Sequence, residues 1–343
     1  MDSAISSEAA RQELKPVSRE ESEALLASIE RGCVERGLDR NAGIFGPGSM
    51  SWRVHCEAGL FLGAGRAALL QLAHPWVAKA IADHSQVMNR PIVRFHNTFR
   101  VVYAMIFGFL DQALGAARGL HKLHTRIEGE ISEDAVAYLH PADEDLSAGT
   151  PYKRGSLYRA NEVAALRWVY ATLIETAVLA YETALGPMGE GEREAYYAET
   201  KTFAALFGIP GEVLPADWSA FSAYCRGMAD SEALGVGERA RAMGQNLLAG
   251  AGSRVKPPGW YRALTAAWMP ERLRLLFGLP FDDKEQQAAE RARRMLPWIY
   301  RKLPAEARFV GPWHEAQARL AGRGPGWITR ASNRFWIGQE QLP

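Results

Sequence analysis

The sequence predicts an all-α fold, built as a single large helical domain. Three observations predict it: apolar residues recur with helical period along nearly every segment, strand-type alternation is scarce, and Gly or Pro bounds the periodic stretches. The chain has 343 residues, 48% of them hydrophobic, enough to bury a sizeable core.

The elements follow in order. An amphipathic helix is expected from Glu20 to Arg36, then a glycine-rich joint from Gly43 to Gly48. One helix should run from about His55 to Leu72 and stop at His74, because a residue before proline is pushed out of helical geometry. Pro75 suits the first turn of the next helix, to about Val87. Asn89 and Pro91 should start a helix that carries Arg94 and Thr98 and ends near Gly108. Asp111 can cap the following one, which holds His121 and His124 and stops around Gly129. Residues 131–157 form a polar link. Asn161 then caps a long apolar helix to Leu185. Further helices are expected at 190–207, 216–229, 236–249, 259–277 and 283–302, whereas the Gly-, Arg- and Trp-rich residues from Gly322 onward carry little pattern.

Composition excludes several function classes. The net charge is +1 with both signs mixed throughout, which gives no nucleic-acid surface. Three scattered cysteines, Cys33, Cys56 and Cys225, form neither a disulfide framework nor a zinc pattern and suit a reducing compartment. The polar, acidic stretch Met1 to Leu26 has no apolar signal core, and no apolar run reaches membrane-spanning length, the longest being Val101 to Leu110. A cytoplasmic protein with no membrane span is expected.

Chemistry concentrates between His55 and His124, which hold six of the eight histidines in the most apolar part of the chain. A buried imidazole needs a partner, and iron is one such partner. His124, in the last turn of its helix, is placed rigidly enough to be an axial iron ligand, or else donates to free helix-end carbonyls. His121 lies one turn earlier on the same face, as a second ligand or a solvated neighbour. Arg94 and Thr98 share a face and could hold a carboxylate or polarise bound dioxygen, or Arg94 could bridge to another helix. His74 and His84 flank a short helix without sharing a face. His74 reads as a helix-boundary residue, and His84 beside Asp83 as a distal acid or base or a hydrogen-bonded structural group. Gly63-x-Gly65-Arg66 reads as close helix packing rather than a dinucleotide loop, since no strand precedes it. In the apolar helix, Glu175 is a lone carboxylate that needs a partner.

The order of short motifs is specific. Gly63-x-Gly65-Arg66, Leu70-Gln71-Leu72-Ala73-His74-Pro75-x-Val77-Ala78 and Asp83-His84-Ser85 come first. Pro91-x-x-Arg94-x-x-x-Thr98, Phe107-Gly108 and His124-x-x-x-x-Gly129 follow, then Tyr158-x-Ala160-Asn161 and Trp168-Val169-x-Ala171-Thr172. This series resembles the MpaB/rubber-oxygenase family over about residues 50–300. The resemblance implies a haem b protein with a globin-like helical core, whose characterised members cleave carbon–carbon double bonds of isoprenoid chains with dioxygen. It implies three parts: an N-terminal helical extension (1–48), a catalytic domain (49–303) and a C-terminal tail (304–343). By position, His124 looks like the proximal iron ligand and Arg94 and Thr98 like the pair beside the haem. His84 joins them as a catalytic candidate, and His121 and His74 as cofactor-lining ones. Two departures stand out. Asn97 replaces a lysine that reaches the iron in the latex-clearing relative, and Tyr170 replaces a histidine common in the Trp-Val-x-Ala-Thr stretch.

The leading expectation is therefore a haem-dependent oxygenase acting with dioxygen on a small hydrophobic alkene. A non-catalytic haem or hydrophobic-ligand binder is the alternative. A non-haem centre of His121, His124 and Glu128 is a third reading, and a purely structural protein the last.

Overall fold

A helix of 23 residues, α7 (Val163–Leu185), forms the axis of the fold, because it is apolar on every side and must be covered on every side. The computed structural model describes residues 15–85, 90–131, 155–251 and 256–343. Against α7 pack a short 3₁₀ segment (Ala58–Gly63), α3 (Ala64–Leu72), α8 (Glu190–Leu206), α9 (Trp218–Asp230) and α13 (Asp283–Tyr300). By length and composition α7 could cross a membrane, with mean hydropathy 1.4. This corrects the expectation that no apolar run is long enough. About two thirds (67%) of its most apolar 18-residue stretch is buried inside the fold, as in the core helix of a helical domain.

The other helices enclose this axis: α1 (Arg19–Glu35), α2 (Met50–His55), α4 (Pro75–His84), α5 (Pro91–Phe107), α6 (Leu110–His124), α10 (Glu238–Ala249), α11 (Gly259–Trp268), α12 (Glu271–Leu276), α14 (Ala305–Arg308), α15 (Gly311–Leu320) and α16 (Trp327–Ile337). Local chemistry sets many ends. Ser18 and Glu21 form a capping box at α1, Asp217 caps α9, and Pro75 and Pro91 open α4 and α5. The all-α expectation holds. Among the described residues the only sheet is a pair of three-residue strands, β1 (Glu128–Glu130) and β2 (Leu157–Arg159), antiparallel with Gly129 opposite Tyr158.

Several boundaries differ from the sequence reading. The helix expected over His55–Leu72 is broken at Cys56 and resumes at Ala64 through the 3₁₀ turn. Tight packing explains the break: a Cβ on Gly59 would sit 3.0 Å from the Tyr300 ring and 3.1 Å from Ala184. The stretch 259–277 splits at Met269–Pro270 into α11 and α12. Phe109, not Asp111, caps α6, and Asp111 instead pairs with Arg40 at 2.5 Å. Glu162 precedes α7 as its cap, while Asn161 turns its amide to the Val17 carbonyl at 2.8 Å. Asn89 and residues 132–154 of the polar link lie outside the described residues. The weakly patterned C-terminus is helical. In α16, Asn333 and Ile337 are buried, and Asn333 donates to Glu315 at 2.6 Å. This helix lies along α5, where Arg100 donates to the Ile337 carbonyl at 3.0 Å and Trp336 packs on Phe61 with ring centres 4.5 Å apart.

Candidate functional site

Helices α5 and α6 are joined by two residues, Gly108 and Phe109, so they run antiparallel side by side. Arg94 lies 13 residues before the end of α5 and His124 lies 14 residues after the start of α6, so each is about 20 Å from the turn at 1.5 Å per residue. Equal arms bring the two residues level. The first is an exposed guanidinium and the second carries a buried ring nitrogen that lacks the hydrogen bond such an atom normally has.

The Nδ1 of His124 is buried and makes no hydrogen bond. Burial, then the charges of His121 and Arg94, lower its pKa to about 4, so the ring is neutral at physiological pH. A helix C-terminus favours the protonated form by roughly 1 kcal/mol. A fall from 6.5 to about 4 corresponds to roughly 3 kcal/mol the other way, so burial wins. Arg94 presents an exposed side chain whose guanidinium is nonetheless lowered by desolvation. It makes no hydrogen bond or ion pair with any described residue. Thr98 donates its hydroxyl hydrogen to the Arg94 carbonyl at 3.0 Å, so the oxygen lone pairs are what it offers a ligand.

On its inner side His124 borders a cavity of about 10 Å³, shared with Val17, Ser22, His121, Asn161, Leu166 and Phe207. That space holds about one water and no more. His121 is committed elsewhere by one nitrogen: its Nε2 meets the Leu206 carbonyl at 2.9 Å and therefore carries the proton. Glu128 reaches toward Arg159 at 3.5 Å. Among the described residues no three His, Cys, Asp or Glu side chains group as a metal site. The three-ligand centre of His121, His124 and Glu128 thus does not form.

His84 joins a second cluster, beside the turn that follows His124. Lys79 contacts both oxygens of Asp83 at 2.7 and 2.8 Å, and the Tyr158 hydroxyl donates to Asp83 Oδ2 at 2.6 Å. With that proton committed, His84 Nε2, 3.1 Å from the same hydroxyl, must be the donor of its own bond. Burial and the Asp83 carboxylate both raise the Tyr158 pKa, so the phenol stays protonated. Tyr158 lies directly against Gly129: a Cβ there would stand 2.6 Å from Tyr158 Cζ. His74 is fully buried at the cap of α4, where burial lowers its pKa to about 4. Its place at the head of α4 is the boundary position that Pro75 implies.

The partner that Glu175 requires is Arg66, whose sequence context, Gly63-x-Gly65-Arg66, points only to helix packing. Arg66 Nη2 meets Glu175 at 2.7 Å, Nη1 donates to Thr176 at 2.6 Å and Nε to the Trp268 carbonyl at 2.9 Å. Trp168 donates to the Leu70 carbonyl at 2.8 Å, and Gln71 to Thr172 at 3.1 Å. Tyr170 hydrogen-bonds Thr200 on α8 at 2.9 Å, and Asn97 is exposed.

No curated protein and no solved structure matches the chain. Residues 52–301 match the family described as ER-bound oxygenase mpaB/B'/Rubber oxygenase, catalytic domain. That span runs from within α2 to the end of α13, including the paired helices with Arg94 and His124, and it exceeds half of the sequence. The chain therefore belongs to the MpaB/rubber-oxygenase family of oxygenase catalytic domains.

Proposed function

We propose that this protein is a haem b-dependent oxygenase that uses dioxygen to cleave a carbon–carbon double bond of a small hydrophobic alkene, isoprenoid in type. One observation carries the reading: a neutral imidazole whose buried Nδ1 makes no hydrogen bond stands level, on adjacent helices, with an exposed guanidinium that pairs with no carboxylate among the described residues. An unmade bond at a buried polar atom costs about 1–3 kcal/mol, which an occupant of the site would recover.

The residues fit a haem in their donor chemistry. His124 supplies one neutral ring for iron, and no carboxylate groups with it to favour a bare metal ion. Arg94 keeps its charge despite desolvation, since a guanidinium does not deprotonate in proteins. It would bind a haem carboxylate, or electron density that builds up beside it, in fork geometry. Thr98 offers acceptor lone pairs on the same face. The one-water space behind His124 leaves room to satisfy Nδ1 and orient the ring. When bound, the haem would supply the activation of dioxygen for addition to the alkene. The apolar helices around the site would exclude water from it.

Reconstituted with haem, the wild-type protein should bind close to one equivalent and show a Soret band that His124→Ala removes or shifts. Oxygen uptake with isoprenoid alkenes should yield an aldehyde or ketone. Failure to bind haem would overturn the proposal. Haem binding without turnover would leave the non-catalytic binder, a reading favoured by Asn97 in place of the iron-reaching lysine of the latex-clearing relative.

A further inference from the structure

The last three turns of α13 and the residues after them carry a surface that no other described element covers. Over 291–302 the sequence reads Arg-Ala-Arg-Arg-Met-Leu-Pro-Trp-Ile-Tyr-Arg-Lys, with five basic residues and no acidic one. Arg291, Arg294, Met295, Trp298 and Lys302 fall at helical spacing on one outward face. Trp298 is 64% exposed, Met295 50%, and Ile299 and Leu303 stand beside them at 43% and 37%. Among the described residues, Arg291, Arg293 and Arg294 pair with no carboxylate. Lys302 holds its ammonium 3.6 Å above the centre of the Trp298 ring.

Leaving this much apolar area in water is unfavourable unless something covers it. The charge says what does. A second copy of the chain packed about a two-fold axis would set this cationic face against itself. The exposure of Trp298 says more: the ring stands clear of the body rather than in a groove that would receive a partner's side chain. Apolar tips ringed by Arg and Lys match the boundary between acyl chains and anionic head groups. There the tips enter the apolar layer and the long basic side chains reach phosphate. The outer face of α16 also exposes Trp327 and Phe335, but its Arg330 and Arg334 both turn to Glu340, so its charge is partly cancelled.

We propose that the surface from Arg291 to Leu303 docks this protein on a membrane face rich in anionic phospholipid. The inference stands apart from the cofactor, and its test needs no activity. The full-length protein should co-sediment at low salt with vesicles of phosphatidylcholine containing phosphatidylglycerol, and much less with phosphatidylcholine alone. Each neutralised basic residue should lower partitioning about fivefold, so Arg291→Gln with Arg294→Gln should lower it by more than tenfold. Trp298→Ser, at an exposed position, should weaken binding while leaving the circular dichroism spectrum unchanged. Three results would overturn the proposal: no sedimentation with anionic vesicles, equal binding to neutral ones, or full binding by both variants. A wild-type dimer that Trp298→Ser dissociates would overturn it too, by showing that a second copy covers the face.

Discussion

Gly129→Ala is the sharpest probe of the turn that follows His124. A methyl group at this position would stand 2.6 Å from Tyr158 Cζ and 2.8 Å from Cε1, closer than packed carbons approach. The ring cannot swing aside freely, because its hydroxyl is bound to Asp83 at 2.6 Å and to His84 at 3.1 Å. Overpacking costs about 1–3 kcal/mol, and weakening a hydrogen bond to a charged carboxylate costs about 1.5–3 kcal/mol in addition. Replacing Gly with Ala also removes unfolded-chain entropy, a gain of about 0.4–1 kcal/mol. The clash wins, so a net loss of about 2–4 kcal/mol is expected, read from urea denaturation midpoints at constant m. The same substitution in a Tyr158→Leu background should cost under about 1 kcal/mol, since the obstructing ring is gone. Equal costs in the two backgrounds would refute the reasoning, because the penalty would then lie in the backbone of β1 and not in its contact with Tyr158.

Stability should fall on acidification from pH 7 to 5. His55, His74 and His124 each have a folded pKa of about 4 against 6.5, so in this range only the unfolded chain takes up their protons, at about 2 kcal/mol lost per residue. Glu162, raised to about 7 by burial, is protonated in the folded chain first and returns about 2 kcal/mol, so denaturation titrations should show a net loss of about 4 kcal/mol. Glu175→Ala should cost about 3–5 kcal/mol in thermal or urea unfolding, because it strands the buried Arg66 guanidinium, while Glu175→Gln, which can still accept a hydrogen bond, should cost less. Trp336→Ala should cost about 3 kcal/mol and speed amide exchange in α5, since this ring closes the aromatic cluster of Phe61, Phe95 and Phe99.

What could be read from the residues depended on whether the cause was local. Pro75 and Pro91 fix helix starts by their own ring geometry, and both stand at the first turn of a helix. The break between His55 and Ala64 has a distant cause: Tyr300 and Ala184 press on Gly59, and neither is near in sequence. Strands of three residues are too short for alternation to show, so β1 and β2 left no signal. The buried stripe of α16 includes Asn333, a polar residue satisfied by Glu315, and that hides its helical pattern from a hydrophobic reading. Arg94 and Thr98 were found by spacing, but the destination of the Thr98 proton required the structure.

The motifs divide by whether their bonds are already made. Arg66, Leu70 and Gln71 lock α3 to α7 through Glu175, Thr176, Trp168 and Thr172. Asp83, His84, Gly129 and Tyr158 lock the turn beyond α6. In these groups the named side chains bond to other parts of the protein, so substitution should act on folding first and on chemistry only through it. Arg94 and His124 are the reverse: the fold carries them to the same level on paired helices, and among the described residues the Arg94 guanidinium has no ion-pair partner and the His124 Nδ1 no hydrogen bond. The buried Nδ1 of His124 left without a hydrogen bond is unfavourable for an empty protein, whereas the exposed Arg94 guanidinium is met by solvent and costs the fold little. A substitution that conserves volume should therefore separate the two classes. Arg94→Met should leave the unfolding midpoint unchanged or raise it while weakening whatever the site holds, whereas Arg66→Met should lower the midpoint by leaving Glu175 unpaired. If Arg94→Met destabilised the fold as strongly as Arg66→Met, Arg94 would be a structural bridge and the site would have to be sought elsewhere.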